Sequence, residues 1–230
     1  MKTHILITGA SRGIGAAIAA SFDPATTKVV ALSSKVGDLN GPAVPALLWA
    51  QALEGLDGRI DVLINNAGVF EENPISRPDE AWLESWNRTM QINLTASADL
   101  CRRAVLHWQT SGASGRIVNM ASRAAYRGDS PAHWHYAASK AGMVAMTKSI
   151  ARAYAKDGIY AFAICPGFTM TGMAEDYLAS RGGDKLLADI PLGKVADPEE
   201  VAAIAKVCSL DAPPSMTGAV LDVNGASYVR

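Results

Sequence analysis

The opening of the chain is its most restrictive feature. An apolar, β-branched run, Thr3–Thr8 (THILIT), passes through Gly9-Ala10-Ser11-Arg12-Gly13-Ile14-Gly15 directly into a helical stretch, Gly13–Ser21. Glycines at 9, 13 and 15 allow a tight turn and a close approach of backbone to a pyrophosphate. The helix start behind them offers free N–H groups and a positive dipole end. A strand that turns through spaced glycines into a helix is the context in which such a trio reads as a dinucleotide loop. The rest of the chain repeats the alternation. Strands are expected at Lys28–Leu32, Asp61–Asn65, Gly115–Ala121, Tyr160–Cys165 and Val220–Asn224. Helices are expected at 42–56, Asp79–Trp108, Ala137–Asp157 and Pro198–Leu210. Asp197-Pro198-Glu199-Glu200 starts the last helix with an N-cap, a first-turn proline and acids at the positive dipole end. Strands this continuously apolar are covered on both faces. The expected fold is α/β: one Rossmann domain over residues 1–230, a doubly wound parallel sheet of six to seven strands with helices on both faces.

Charge and cysteine content remove several functions. Lys plus Arg number 21 against 22 Asp plus Glu, a net charge of −1, which supplies no footprint for nucleic acid or an anionic membrane. The three cysteines, Cys101, Cys165 and Cys208, are far apart and contain no C-x-x-C pair, so no zinc site or redox dithiol is indicated. No apolar run reaches the length of a membrane span and the first strand leaves no room for a signal peptide, so a cytoplasmic protein is expected.

Four ordered motifs carry a resemblance: Thr8–Gly15 (TGASRGIG), Asn65-Asn66-Ala67-Gly68, Tyr136-Ala137-Ala138-Ser139-Lys140 and Pro166-Gly167. Together they resemble the short-chain dehydrogenase/reductase family over essentially the whole chain. The stretch from Thr217-Gly218 to Ala226 is similar to its 3-oxoacyl carrier-protein reductases. The resemblance implies cofactor contacts from Gly9, Ser11, Arg12, Gly13, Ile14 and Gly15, from Asn66, Ala67 and Gly68, and from Pro166, Gly167, Thr169 and Thr171. At the end of the second strand, where NAD-preferring members carry Asp, this chain has Ser33 followed by Ser34 and Lys35. Without that carboxylate a 2′-phosphate is admitted, and Arg12 and Lys35 could supply positive charge to it. NADP(H) is therefore favoured, with NAD(H) left open and a purely surface role for Arg12 as the alternative.

The segment after Ser34 departs from the family. Val36-Gly37-Asp38-Leu39 resembles the adenine-binding turn, with Asp38 toward the adenine amino group, yet it arrives almost at once. A parallel crossover takes about a dozen residues, so a crossover helix is expected to be missing after the second strand and the third strand to be vestigial. The rival reading makes Val44–Trp49 that strand; apolar spacing at Val44, Leu47, Leu48 and Leu56 fits a helix better.

Tyr136 and Lys140, four apart on a helix, share one face, where an ammonium near a phenol lowers the phenol's pKa. Ser122 ends a strand at the edge that faces a ligand crevice in such sheets. The resemblance makes Tyr136 the proton donor in ketone reduction, Lys140 also a ribose ligand, Ser122 the carbonyl-orienting hydroxyl and Asn93 the holder of a water linked to Lys140. Ser122 and Tyr136 stand one residue further apart than is usual. His133-Trp134-His135 could bind a metal by alternation, but no third ligand completes a set; with Arg123, Tyr126 and Arg127 these histidines are expected to shape the pocket mouth. Residues 168–194, with Met170, Met173, Tyr177 and Leu178 before Arg181-Gly182-Gly183, match a substrate lid with a glycine hinge.

Carrier-protein reductases dock their acidic partner on basic residues, where this chain has Ser111-Gly112-Ala113-Ser114 and Asp157. The expected substrate is a small ketone or secondary alcohol, with a 3-oxoacyl thioester next and a non-catalytic dinucleotide sensor third. Family members commonly form homotetramers or homodimers, and either is expected here.

Overall fold

The computed structural model describes residues 2–171 and 183–230. Six strands form one parallel sheet: β1 (Thr3–Thr8), β2 (Thr27–Leu32), β3 (Val62–Asn65), β4 (Gly115–Met120), β5 (Ile159–Pro166) and β6 (Val220–Val223), in the order β2-β1-β3-β4-β5-β6. Alternation along each strand sends side chains to two cores. On one face Leu6, Leu63 and Ile117 pack under α2 (Val44–Gly55), α4 (Ala96–Ser111) and, after the short α5 (Ala124–Arg127), α6 (Trp134–Tyr154). On the other, Ile5, Ile7, Ile64 and Val118 meet α1 (Gly13–Ala20) and, beyond α7 (Gly183–Ala188), α8 (Pro198–Lys206). Among the described residues no helix is long and apolar enough to cross a membrane.

Between β2 and β3 the chain has turns over residues 33–43 and then a single helix, α2. β2 is consequently the sheet edge, as the short Ser33–Asp38 link requires. Val44–Trp49 is helical because Leu48, Trp49, Ala52 and Leu56 then line one buried stripe, whereas Leu47 points to solvent. The one exposed residue of β2 is Ala31, near its C-terminal end; Lys28, Val29 and Val30 are half-buried.

Two expected helices are interrupted. The stretch Asp79–Trp108 divides into α3 (Asp79–Met90), a π-helical turn at Gln91–Thr95, and α4. The last long helix ends at Lys206 and continues as a π-helical turn, Val207–Asp211. The acid-rich start of α8 works as read: the Glu200 carboxylate accepts the Asp197 N–H at 2.8 Å. Strand order reverses at β1 and β3, and the loops leaving their C-terminal ends face one crevice, where such sheets bind ligands.

Candidate active site

The loop after β1 is built by close contact with the loop after β3. Gly9 has φ +67°, and a Cβ there would lie 2.6 Å from Ala67 Cα, so only glycine fits. Thr8 Oγ1 accepts the N–H groups of both Asn66 and Ala67 at 3.1 Å, and Asn66 Nδ2 donates to Thr8 O and Gly9 O. Asn66 thus holds the glycine loop in shape. A Cβ at Gly15 would collide with the Gly9 carbonyl.

The start of α1 has no side-chain cap and no acidic residue in its first turn. Its N–H groups and dipole are therefore available to an anion. Gly13, at φ +54°, faces Thr171: a Cβ at Gly13 would come 2.9 Å from Thr171 Cγ2. Thr171 therefore lies across the mouth of the anion site, with Ser11 and Ile14 on the same turn. Pro166 and Gly167 close the crevice on its β5 side, Pro166 O accepting Arg123 N–H and Gly167 donating to Val223 O. Thr169 is buried and pairs with Ala196 in an isolated parallel bridge, which joins the two ends of the expected lid. Met170 packs there with Ile190 and Val195. Met173, Tyr177, Leu178, Arg181 and Gly182 lie outside the described residues.

Ser34 and Lys35 after β2 are exposed and Ser33 is half-buried; the glycine loop, with exposed Arg12, is joined to the β2 end where Ala10 N–H donates to Leu32 O. Asp38 uses Oδ1 to accept the Asn40 N–H at 3.0 Å, an Asx-type turn, while Leu39 is buried and its carbonyl accepts Gln91 Nε2. A glycine cradle, an uncapped helix start and cations beside the β2 end together fit a dinucleotide with an extra phosphate.

Across the crevice, β4 delivers Ser122 and α6 delivers Tyr136 and Lys140. Lys140 is 4% exposed, and its Nζ donates to Met120 O at 2.7 Å and stands 5.8 Å from the Tyr136 ring centroid. Gly68 brings the β3 loop against the same ammonium: a Cβ there would lie 3.5 Å from Lys140 Nζ and 3.3 Å from Asn93 Oδ1. Asn93 sits in the π-helical turn, fully buried. Its Oδ1 accepts Val69 N–H at 2.8 Å, and its Nδ2 donates to Val69 O and to Ser139 Oγ. Ser139 in turn donates to Tyr136 O at 2.7 Å. Asn93 therefore ties the β3 loop to the helix that carries Tyr136 and Lys140.

The electrostatics correct one expectation. Burial pushes the Tyr136 phenol up to about 12, against a lowering hydrogen bond with Ser122. Burial also pulls the Lys140 ammonium down to about 8. The i, i+4 spacing does bring the pair together, but burial dominates at the phenol, with the charges of Asp129 and Cys165 adding to the upward push. The phenol is thus held as the neutral acid at pH 7, with Lys140 still mostly charged.

Sequence reading missed Phe70. Its ring stacks on His133 at 3.9 Å and 5°, and meets Tyr136 edge-on at 4.8 Å. An apolar residue two beyond Gly68 was the available signal. It also missed Asn119, fully buried, which accepts Asn65 Nδ2 at 2.9 Å and donates to Thr147 Oγ1 at 2.8 Å, linking β3, β4 and α6. His133 and His135 are 6.5 Å apart between ring centroids, and among the described residues no three metal-binding side chains cluster. Arg127 pairs with Asp189 at 2.7 Å, with Arg123 at 3.5 Å from the same carboxylate and over the Phe168 ring. Tyr126 stacks with Tyr228.

Residues 38–226 match the family model described as Enoyl-(Acyl carrier protein) reductase. The 3-oxoacyl-[acyl-carrier-protein] reductase FabG of Vibrio cholerae is 34% identical over 97% of this chain and 96% of its own length. The acetoacetyl-CoA reductase of Shinella zoogloeoides is 31% identical, over 99% of both. Among solved structures, an Agrobacterium tumefaciens protein assigned as a 2-deoxy-d-gluconate 3-dehydrogenase, with bound NADP, superposes with a TM-score of 0.84 at 26% identity. That match covers 99% of this chain and 97% of the other.

Proposed function

The chain belongs to the short-chain dehydrogenase/reductase family, and we propose that it is an NADP(H)-dependent oxidoreductase that interconverts a small ketone and a secondary alcohol, with Tyr136 as the acid and base. The observation that carries this reading is the convergence of the Tyr136 phenol, the Ser122 hydroxyl and the buried Lys140 ammonium opposite the glycine loop. When bound, NADPH supplies a hydride to the carbonyl carbon. Tyr136 gives its phenolic proton to the carbonyl oxygen as that oxygen gains charge. Ser122 donates a hydrogen bond to the same oxygen, so two donors stabilise the developing alkoxide. Lys140 neutralises the transient phenolate and stands beside Gly68, where it can also meet the nicotinamide ribose. Asn93 acts through position, by fixing the β3 loop against α6.

The cofactor is assigned to NADP(H) because Ser33 leaves the β2 end without a carboxylate while Arg12 and Lys35 are exposed around it. Backbone N–H groups at the start of α1 would take the pyrophosphate, Asp38 and Leu39 would border the adenine, and Thr169 and Thr171 would hold the carboxamide. In reduction the protonated phenol is the proton source; in oxidation the phenolate, which burial makes harder to form, takes the proton from the alcohol.

A 3-oxoacyl thioester is the second reading, supported by the activities named for the V. cholerae and S. zoogloeoides relatives. Against a carrier-protein partner stands Asp157, exposed beside Gln109, which donates to it at 2.8 Å. A homotetramer or homodimer in the cytoplasm completes the proposal. NADPH oxidation with ketones, 3-oxoacyl thioesters and sugars tests it: turnover of small ketones is expected, and turnover confined to carrier-bound thioesters would replace it with the second reading. A protein that binds NADPH but reduces none of these would be a sensor instead.

A further inference from the structure

The wall beside Tyr136 contains a polar group that the reaction itself does not use. His133 is 7% exposed, and its ring lies flat against Phe70, whose edge faces Tyr136. One aromatic ring therefore bridges the imidazole and the phenol. On its other side the imidazole is pinned by Ser130, whose hydroxyl is 2.7 Å from Nδ1. That hydroxyl also accepts the Ala132 N–H, at 3.4 Å, and keeps its own proton to give. In the tautomer where Ser130 donates to Nδ1, the ring proton resides on Nε2. Nε2 makes no hydrogen bond among the described residues, and it is not one of the sealed, unpartnered atoms, as both nitrogens of His135 are. Nε2 is thus left for a partner from outside the protein, on a ring that one aromatic side chain separates from Tyr136.

From this geometry we propose that His133 is a specificity-determining residue, its Nε2–H binding a second, uncharged oxygen on the ketone while Phe70 packs against the carbon chain between the two oxygens. The inference rests on the carbonyl-reductase reading above and adds the substrate class: ketones that carry a neutral acceptor beyond the reacting carbonyl. Carboxylates are disfavoured, because Asp129 and Glu72 both bear on His133 with negative charge. Burial lowers the His133 pKa, which keeps the ring neutral and its donor role unchanged near pH 7. His135, the nearest titratable neighbour on the same helix, is likewise held neutral by burial.

The test uses ethyl acetoacetate, its hydrocarbon counterpart 2-heptanone and the free acid acetoacetate, each with NADPH. The readout is the ratio of kcat/KM for the ester over 2-heptanone, which is independent of any common change in chemistry or folding. His133→Phe keeps the stack on Phe70 and removes the donor; it is expected to lower the ratio about tenfold, chiefly through KM. His133→Gln, which retains an N–H donor, should recover most of the loss. Ser130→Ala frees the tautomer and should lower the ratio about threefold. A ratio unchanged in His133→Phe while turnover persists overturns this inference alone, and so does a free acid that outperforms its ester in the unmodified protein. If the unmodified protein reduces none of the three, the inference is overturned; the carbonyl-reductase reading falls with it only when the wider panel of ketones, 3-oxoacyl thioesters and sugars is not reduced either.

Discussion

Replacing Lys140 with Met removes a buried charge while nearly conserving volume, and the consequence for stability can be worked out with its sign. In the folded protein burial holds the ammonium at about 8, against 10.5 for an ordinary lysine. The folded state therefore releases this proton first as pH rises. Between pH 8 and 10.5 the unfolded chain binds more protons, so stability must increase with pH. Below pH 8 both states are charged and the penalty of burying the charge is constant. Integrating over the two titrations gives a gain of about 2.5 kcal/mol between pH 7 and pH 10. Tyr136 acts in the opposite direction, but only above pH 10, because its phenol is pushed up to about 12. Urea unfolding at pH 7, 8, 9 and 10 should show this slope as a difference between the unmodified protein and Lys140→Met. The variant also leaves Met120 O without its donor, a loss of about 1–3 kcal/mol that is independent of pH. A difference between the two proteins that stays flat from pH 7 to 10 would refute the idea of a desolvated ammonium at this site.

Two further outcomes follow from the crevice. Gly9→Ala forces a Cβ to 2.6 Å from Ala67 Cα at φ +67°, and should cost about 2–5 kcal/mol, seen as a Tm lowered by about 5–15 °C. Gly58→Ala is the control: φ is +77° but nothing lies within 4 Å, so a Tm loss equal to that of Gly9→Ala would mean that the close approach contributes nothing. Ser33→Asp places a carboxylate where the 2′-phosphate is expected and should lower kcat/KM for NADPH relative to NADH at least tenfold, roughly the cost of one like-charge contact; an unmoved ratio would place the phosphate elsewhere.

What the sequence made legible was chiefly local or periodic. The glycine loop was recognisable because a strand, three glycines and a helix follow one another without interruption. The missing crossover was legible from distance alone, since Ser33 and Asp38 are too close to span one. The nature of Val44–Trp49 was settled by packing: Leu48 and Trp49 enter the same core, whereas neighbours in a strand go to opposite faces. The π-helical turn at Gln91–Thr95 was not legible, because the hydrogen bonds that engage Asn93 go to Val69, 24 residues away. Spacing placed Tyr136 beside Lys140 but carries no information on burial, so the direction of the phenol's shift came out reversed. That the Asn66 side chain serves the Gly9 turn was not legible, because the partnership joins two loops 57 residues apart. Asn119 gave no signal, because a polar residue inside an apolar strand does not reveal its partners.

The central claim, that Tyr136 donates the proton, is tested most directly by Tyr136→Phe, with NADPH binding and ketone turnover measured on the same preparation. The account predicts turnover reduced at least about a hundredfold, with NADPH affinity within about twofold of the unmodified protein because the glycine loop and the start of α1 are untouched. Turnover retained by a variant that still binds NADPH would contradict it.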